Sequence, residues 1–278
     1  MTEDTPTHRP FGAEEMALLI DGKGRRFLVL LHPTRRFEYH MGVVPHTDII
    51  GQPEGTLLRS SSGSRLRLLR PRLADFILKM KRGAQVVYPK DIGPILMWAD
   101  IAPGMTVVEG GTGSGALAMA LARAVGRGGR VVTAEIRDDH ASHARKMIKR
   151  WFGEIPAQLE LYRGPIEDAI SEVAPDRVVL DIPEPWHAAK VAATSQPPGA
   201  VFCSYLPTVP QVQKLVEVMK SSGGFCETEI FETLHREWNV YGLSVRPRHQ
   251  MVGHTGFVVV SRVKRPDRRV APPQTPSE

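Results

Sequence analysis

The stretch "VVEGGTGSGALAMALA", Val107 to Ala122, decides how this chain is read. Two valines lead into four glycines within six residues, and small and apolar side chains follow. The order predicts a strand, a tight turn and a helix, because glycine enters left-handed backbone conformations without a steric penalty. Such a turn lets a ligand approach the backbone closely.

Two ligand classes fit the turn. Gly111, Gly113 and Ala116 match the dinucleotide spacing G-x-G-x-x-G/A, and Glu135 ends the next expected strand, where either class would set a carboxylate on a ribose. Read as E-x-G-x-G-x-G, Glu109, Gly111, Gly113 and Gly115 instead give the first motif of S-adenosylmethionine-dependent methyltransferases. An acid just before the glycines suits a cationic sulfonium and opposes a pyrophosphate, which a helix N-terminus would otherwise attract. Glycines serving strand–helix packing alone would leave the distal acid unexplained.

Outward from the turn, strand and helix patterns alternate. "GRVVTAEI", "QLELYRG", "DRVVLDIP" and "GAVFCSYL" read as strands; "DHASHARKMIKRWF", "PWHAAKVAA" and "VPQVQKLVEVMKSS" read as helices. "FCETEIFETL" and "GFVVVSRV" are the last expected strands. The alternation predicts a doubly wound parallel sheet with helices on both faces. Before it, "RLADFILKM" puts Leu73, Phe76, Ile77 and Met80 on one helical face, and "PKDIGPILMWADI" is a second short helix. The first 70 residues read as β. A hairpin turns at Asp21-Gly22-Lys23-Gly24 and another around "SSSGS", whose second arm alternates Arg65 and Arg67 with Leu66 and Leu68.

Composition sets the bounds. The chain has 278 residues, 42% hydrophobic, a net charge of +6, and two cysteines, Cys203 and Cys226, expected as buried free thiols. No Cys/His spacing suits a metal, so none is expected. The polar, acidic start lacks a signal-peptide pattern, and no apolar run approaches the ~18 residues of a membrane span. A soluble intracellular protein with no membrane association is expected, and the basic balance suits a polyanionic partner.

A second stretch, "VLDIPEPW" (Val179 to Trp186), ends a strand on Asp181 and then stays extended through Pro183 and Pro185. A strand-end carboxylate beside a rigid aromatic loop suits modification of a nucleobase. The structural alternative is that Asp181 caps the next helix and Trp186 packs it.

Taken together, "DGKGRRF", "QVVYPKDIGPI", "EGGTGSGAL", "VLDIPEPW", "WNVYGLSVRP" and "HQMVGHTGF" closely resemble the TrmI-type tRNA (adenine-N1)-methyltransferases, actinobacterial members above all. The glycine motif is generic; "YPKD" with "VLDIPEPW" and "GHTGF" is far more specific. The resemblance implies methyl transfer from S-adenosylmethionine to N1 of a T-loop adenine, position 58 of tRNA, by a cytoplasmic homotetramer. It implies that Ser114, Gly115, Ala116 and Leu117 contact the cofactor, largely through backbone. Glu135 would hold the ribose hydroxyls, with His140 near the adenosine end. Asp181 would be catalytic and would also face the cofactor's sulfonium, and Tyr88 would line the target-base pocket as the second catalytic residue. One departure stands out: relatives carry an acid after the glycine of "YRGPIED", facing the adenine amine, and here the position is Pro165. Glu167 or Asp168 is the available substitute.

The expected architecture is α/β. A small N-terminal β domain spans 1–70, a Rossmann-like methyltransferase domain 71–264, and a charged, Pro-rich, disordered tail 265–278. Arg59, Arg65, Arg67, Lys79, Lys81 and Arg82 are candidate phosphate contacts, and Trp238, Arg246, His249 and His254 a candidate pocket wall. Three rivals remain at this point. An isoaspartyl-type protein methyltransferase would share the turn and Glu135 but needs no basic N-terminal domain. A NAD-dependent oxidoreductase would share the turn only. A non-catalytic tRNA-binding subunit would keep the fold without the cofactor.

Overall fold

The computed structural model describes residues 9–81, 83 and 85–265. Arg82 and the expected tail beyond Arg265 lie outside the described residues. The chain divides into two compact units, 1–81 and 82–278.

In the first unit, β1 (Met16–Asp21), β2 (Arg26–Leu30), β5 (Leu57–Arg59) and β6 (Arg65–Leu69) form an antiparallel sheet in the order β2-β1-β6-β5. Both expected hairpins are present. The first closes because the Asp21 carboxylate accepts the amides of Lys23 and Arg25, each at 2.9 Å, while Gly24 takes the left-handed conformation. Leu66 and Leu68 are fully buried, and Arg65 and Arg67 between them are exposed, as period-two alternation requires. A further hairpin, β3 (Arg36–Tyr39) with β4 (Gly42–Pro45), was not apparent from the sequence; its short arms carry no clear alternation. Helix α1 (Leu73–Lys79) belongs to this unit rather than to the second domain expected from residue 71. The reason is electrostatic as well as apolar. The buried Asp75 carboxylate pairs with Arg26 of β2 and with Arg72 at 2.9 Å, which ties the helix to the sheet.

The second unit begins with α2 (Pro89–Trp98). The glycine stretch then unfolds as β7 (Thr106–Gly110) and α3 (Ala116–Val125), with Gly126 ending the helix. There follow β8 (Arg130–Glu135), α4 (Asp138–Phe152), β9 (Leu159–Arg163), α5 (Ile166–Val173), β10 (Arg177–Leu180) and α6 (Pro185–Ser195). The chain continues through β11 (Val201–Leu206), α7 (Val209–Ser222), β12 (Phe225–Phe231), a hairpin of β13 (Trp238–Tyr241) and β14 (Ser244–Pro247), and β15 (Phe257–Val263). The sheet order is β12-β15-β11-β10-β7-β8-β9.

Two features depart from the sequence reading. The sheet is mixed: β15 runs antiparallel to both β11 and β12. It returns beside β12 without a crossover helix, which only an antiparallel neighbour permits. Helix α5 was not anticipated. It is eight residues long and acidic at its start, yet Ile166, Ala169 and Ile170 bury one stripe at i, i+3, i+4 spacing.

Strand alternation builds a layer of helices on each side of the sheet. Val108, Val132, Val178 and Phe202 share a core with α5, α6 and α7. Val107, Val131 and Val179 point the other way, where α3 and α4 pack. Cys203 is fully buried, which pushes its thiol up to about 12. Cys226, expected buried, is partly exposed because β12 is the sheet edge; both cysteines are free.

Candidate active site at the carboxyl ends of the central strands

The site is built by β7, β8 and β10, which lie side by side with β7 in the middle. At the end of β7 the chain turns through Gly111, Gly113 and Gly115, all at positive φ. Gly111 admits no other residue. A Cβ there would sit 2.2 Å from the carbonyl oxygen of Asp181, and its φ is +87°. The Asp181 amide donates to Gly110 O at 2.9 Å, so the glycine turn and the strand-end carboxylate are fixed to each other through backbone.

Glu135 is buried at the end of β8. One carboxylate oxygen accepts the Gly113 amide at 3.1 Å, the other the Arg137 amide at 3.0 Å. His140 Nδ1 lies 3.7 Å from the same carboxylate. Behind the turn, the hydroxyls of Thr112 and Thr133 meet at 2.6 Å, and Ser114 Oγ accepts the Gly83 amide at 3.1 Å.

A cleft of about 700 Å³ opens over these groups. Gly111, Gly113, Glu135, His140 and Asp181 line it. Ser114, Gly115, Ala116 and Leu117 lie behind that wall, with Ser114, Ala116 and Leu117 buried in the turn and first helical residues, so only their backbone is suited to a ligand. Tyr88 is half-buried at the N-cap of α2 and is not among the lining residues; Gln85, three residues earlier, is. Sequence reasoning also missed Ile136, Ile182 and His187 on the lining. Ile136 is 70% exposed, and an exposed isoleucine directly after a strand-end acid was the available signal.

Glu109 is 1% exposed and does not line the cleft. Among the described residues, neither of its carboxylate oxygens has a hydrogen-bond partner. Burial pushes its carboxyl up to about 8; proximity to Thr133 opposes this, and the Asp181 and Glu135 carboxylates add to it. A fixed negative charge was expected there, but desolvation keeps the proton on at neutral pH until a nearby cation favours the ionised form. Asp181 is likewise raised to about 7 by burial. It does not cap α6, whose N-cap is Glu184. Trp186 does take the packing role weighed against a functional one: it is buried, with Lys214 Nζ 3.7 Å above its ring.

Pro165 is the N-cap of α5 and lines the cleft without offering a donor or acceptor side chain. Glu167, in the first turn of that helix, lines the cleft; Asp168 does not. Trp238 and Arg246 lie on the exposed β13–β14 hairpin, His249 is exposed beyond it, and none of them lines the cleft. His254 instead bridges Glu232 at 3.1 Å and Pro207 O at 2.9 Å.

The residues fit a sulfonium nucleoside. The cleft has the volume of a small-molecule site and is lined by a glycine turn with no room for a Cβ at Gly111 and by a buried strand-end carboxylate, with the unpartnered acid Glu109 behind them. A family profile described as "tRNA methyltransferase complex GCD14 subunit" matches residues 67–251, and one described as "TrmI-like N-terminal" matches 10–58. The chain is 39% identical over 246 residues to the tRNA (adenine(58)-N(1))-methyltransferase TrmI of Thermus thermophilus, covering 88% of this chain and 95% of the relative. It is 36% identical to the tRNA (adenine(57)-N(1)/adenine(58)-N(1))-methyltransferase TrmI of Methanocaldococcus jannaschii, covering 88% and 94%. Among solved structures it is similar to a SAM-dependent O-methyltransferase from Thermotoga maritima, with TM-score 0.87, 30% identity, and 92% and 95% of the two chains covered. The tRNA (m1A58) methyltransferase TrmI from Aquifex aeolicus gives TM-score 0.81, 30% identity, and 92% and 99% covered.

Proposed function

The chain belongs to the TrmI-type tRNA (adenine-N1)-methyltransferase family, and from that premise we propose how its residues divide the work. The protein is an S-adenosylmethionine-dependent tRNA (adenine(58)-N1)-methyltransferase. The observation that carries the reading is the fixed juxtaposition of Asp181 with the glycine turn, in a cleft that Glu135 also lines.

S-adenosylmethionine, when bound, supplies an electrophilic methyl group on a sulfonium. Glu135 would hold the ribose hydroxyls, since its carboxylate is already oriented by the Gly113 and Arg137 amides and keeps lone pairs to spare. The Ala116 and Leu117 amides at the start of α3 would receive the amino-acid end, and Glu167 would take over the adenine-amine contact that Pro165 cannot make. His140 would stand at the adenosine end.

Adenine N1 carries an available lone pair, so no strong base is needed to create the nucleophile. As N1 gains the methyl, positive charge grows on the ring. Asp181, ionised, accepts from the exocyclic amine and stabilises that charge, so catalysis rests on orientation and electrostatics. The target base leaves its stack inside folded tRNA at a cost of roughly a few kcal/mol, and Tyr88 is proposed to help hold it. Arg59 and Arg65 stand opposite each other on the exposed face of the β5–β6 pair, with Arg67 on the same face. They are proposed, with Lys79 and Lys81, to meet tRNA phosphates.

Self-association, expected as a homotetramer, is proposed to use the β13–β14 hairpin. Trp238, Val240, Tyr241, Leu243 and Val245 are all more than half exposed there, unusual for a surface that stays wet. Light scattering should give a multimer that Leu243→Glu with Val245→Glu dissociates. Among the described residues no helix is long and apolar enough to cross a membrane; a cytoplasmic location is proposed because tRNA is the substrate. The test of function is direct. Unmodified tRNA incubated with labelled S-adenosylmethionine should yield N1-methyladenosine at position 58 on nucleoside and fragment analysis; tight tRNA binding without methyl transfer would favour a non-catalytic subunit.

A further inference from the structure

Asp91 has no access to solvent, yet it gathers polar side chains from four places in the second unit. Its Oδ1 accepts Lys90 Nζ at 2.7 Å and the Thr233 hydroxyl. Its Oδ2 accepts the Thr255 hydroxyl at 2.7 Å and the Tyr205 hydroxyl at 3.3 Å. Lys90 Nζ also donates to Thr233 O at 2.7 Å. Thus one carboxylate joins the first turn of α2, the end of β11, the segment after β12 and the loop entering β15.

A buried ion pair of this kind is weak evidence for stability, since desolvation offsets much of the attraction; its best-attested use is to specify geometry. The geometry specified here is that of the reacting end of the sheet. Leu180 pairs with Ser204 in the parallel β10–β11 ladder, so the next residues, Asp181 just past β10 and Tyr205 still within β11, lie on neighbouring strands. A Cβ on Gly256 would lie 2.5 Å from the Tyr205 ring, so the loop bearing Thr255 is laid directly on that ring. On its other side, the Asp91 amide donates to the carbonyl of Tyr88 at 2.8 Å. Asp91 is therefore bonded to both Tyr88 and Tyr205.

We propose that Asp91 is a positioning residue for methyl transfer, holding Tyr205 and the Thr255 loop in register beside Asp181 through its hydroxyl contacts. The assignment rests on the tRNA methyl-transfer reading above. It gives "YPKD" and "GHTGF" one shared role: the acid of the first motif binds the threonine of the second.

Thr255 is the place to test it, because replacing the buried Asp91 itself endangers folding. Thr255→Val keeps shape and removes the hydroxyl; Thr255→Ser keeps the hydroxyl and removes a methyl. With saturating S-adenosylmethionine and unmodified tRNA, Thr255→Val should lower the single-turnover methylation rate by about tenfold to a hundredfold, the scale of a small misplacement at a reacting centre. Thr255→Ser should stay within about threefold of the unmutated protein, because the hydroxyl that meets Asp91 is kept. Cofactor affinity by calorimetry should be unchanged in both. Equal losses in the two variants, or a loss confined to cofactor affinity, would overturn the positioning role. So would Thr255→Val methylating at the unmutated rate. Absence of methylation by the unmutated protein would instead overturn the parent reading, and this one with it.

Discussion

The two sides of Asp181 are built differently. On the β7–β8 side the site is held by backbone: glycines at positive φ, amides donating to Glu135, and the Gly110 carbonyl accepting the Asp181 amide. On the α2–β11–β15 side it is held by side chains converging on Asp91. A backbone-built wall tolerates no added atom but does not depend on the identity of its neighbours. A side-chain-built wall fails one hydroxyl at a time. The first should respond to substitution by collapse, the second by graded loss of rate.

The largest effect expected is at Gly111. Gly111→Ala meets a contact of 2.2 Å and a φ of +87° at once. Left-handed strain alone is of order 1–3 kcal/mol, and the overlap with the Asp181 carbonyl must displace the turn. Calorimetry should find cofactor binding lost, with Tm lowered; retained affinity would show that the turn is softer than a backbone-built wall.

The next concerns pH. Burial places the Asp181 carboxyl at about 7 in the free protein, and the proposed role needs it ionised. The sign follows: activity falls progressively as pH drops below that value and is restored as pH rises through it. kcat/KM for S-adenosylmethionine, which reports the free protein, should rise to a plateau with a midpoint near 7. The kcat midpoint should be lower, because a bound cation favours the carboxylate. A limb near pH 4 in kcat/KM would mean Asp181 is better solvated than its place in the cleft implies.

Much of this contrast was legible in sequence, and unevenly. The backbone-built side announces itself in contiguous letters: "EGGTGSGAL" and the acid ending the next strand are local signals whose spacing carries their geometry. Gly111, Gly113, Glu135, His140 and Asp181 are brought together on one cleft. The side-chain-built side depends on residues far apart in the chain. Asp91, Tyr205, Thr233 and Thr255 have no mutual spacing to read, and only the return of β15 between β11 and β12 brings them together. That antiparallel return, the exposed β13–β14 hairpin and the assignment of α1 to the first unit all follow from tertiary pairing, which periodicity does not encode. Glu109 shows the complementary limit: its identity was legible, but its burial, and so its retained proton, was not.

The smallest effect expected lies away from both walls. Neutral substitution of Arg59, Arg65 or Arg67, one at a time, should leave the rate at saturating tRNA unchanged. Each should flatten the log–log dependence of tRNA affinity on salt by up to ~0.9. An unchanged slope would return these arginines to an ordinary solvated face.

The central claim is that Asp181 stabilises charge on the base and does not hold the tRNA. Its most direct test is the single-turnover rate of Asp181→Asn on unmodified tRNA at saturating S-adenosylmethionine, with tRNA and cofactor affinities measured on the same preparation. The substitution keeps the size and backbone bond but removes the charge and can present a donor where an acceptor is needed. The account predicts N1-methyladenosine formation slowed by ~10²-fold or more, the scale of removing one preorganised electrostatic group, with tRNA affinity nearly unchanged. Near-normal methylation by Asp181→Asn, or a rate loss recovered by raising either substrate, would contradict it.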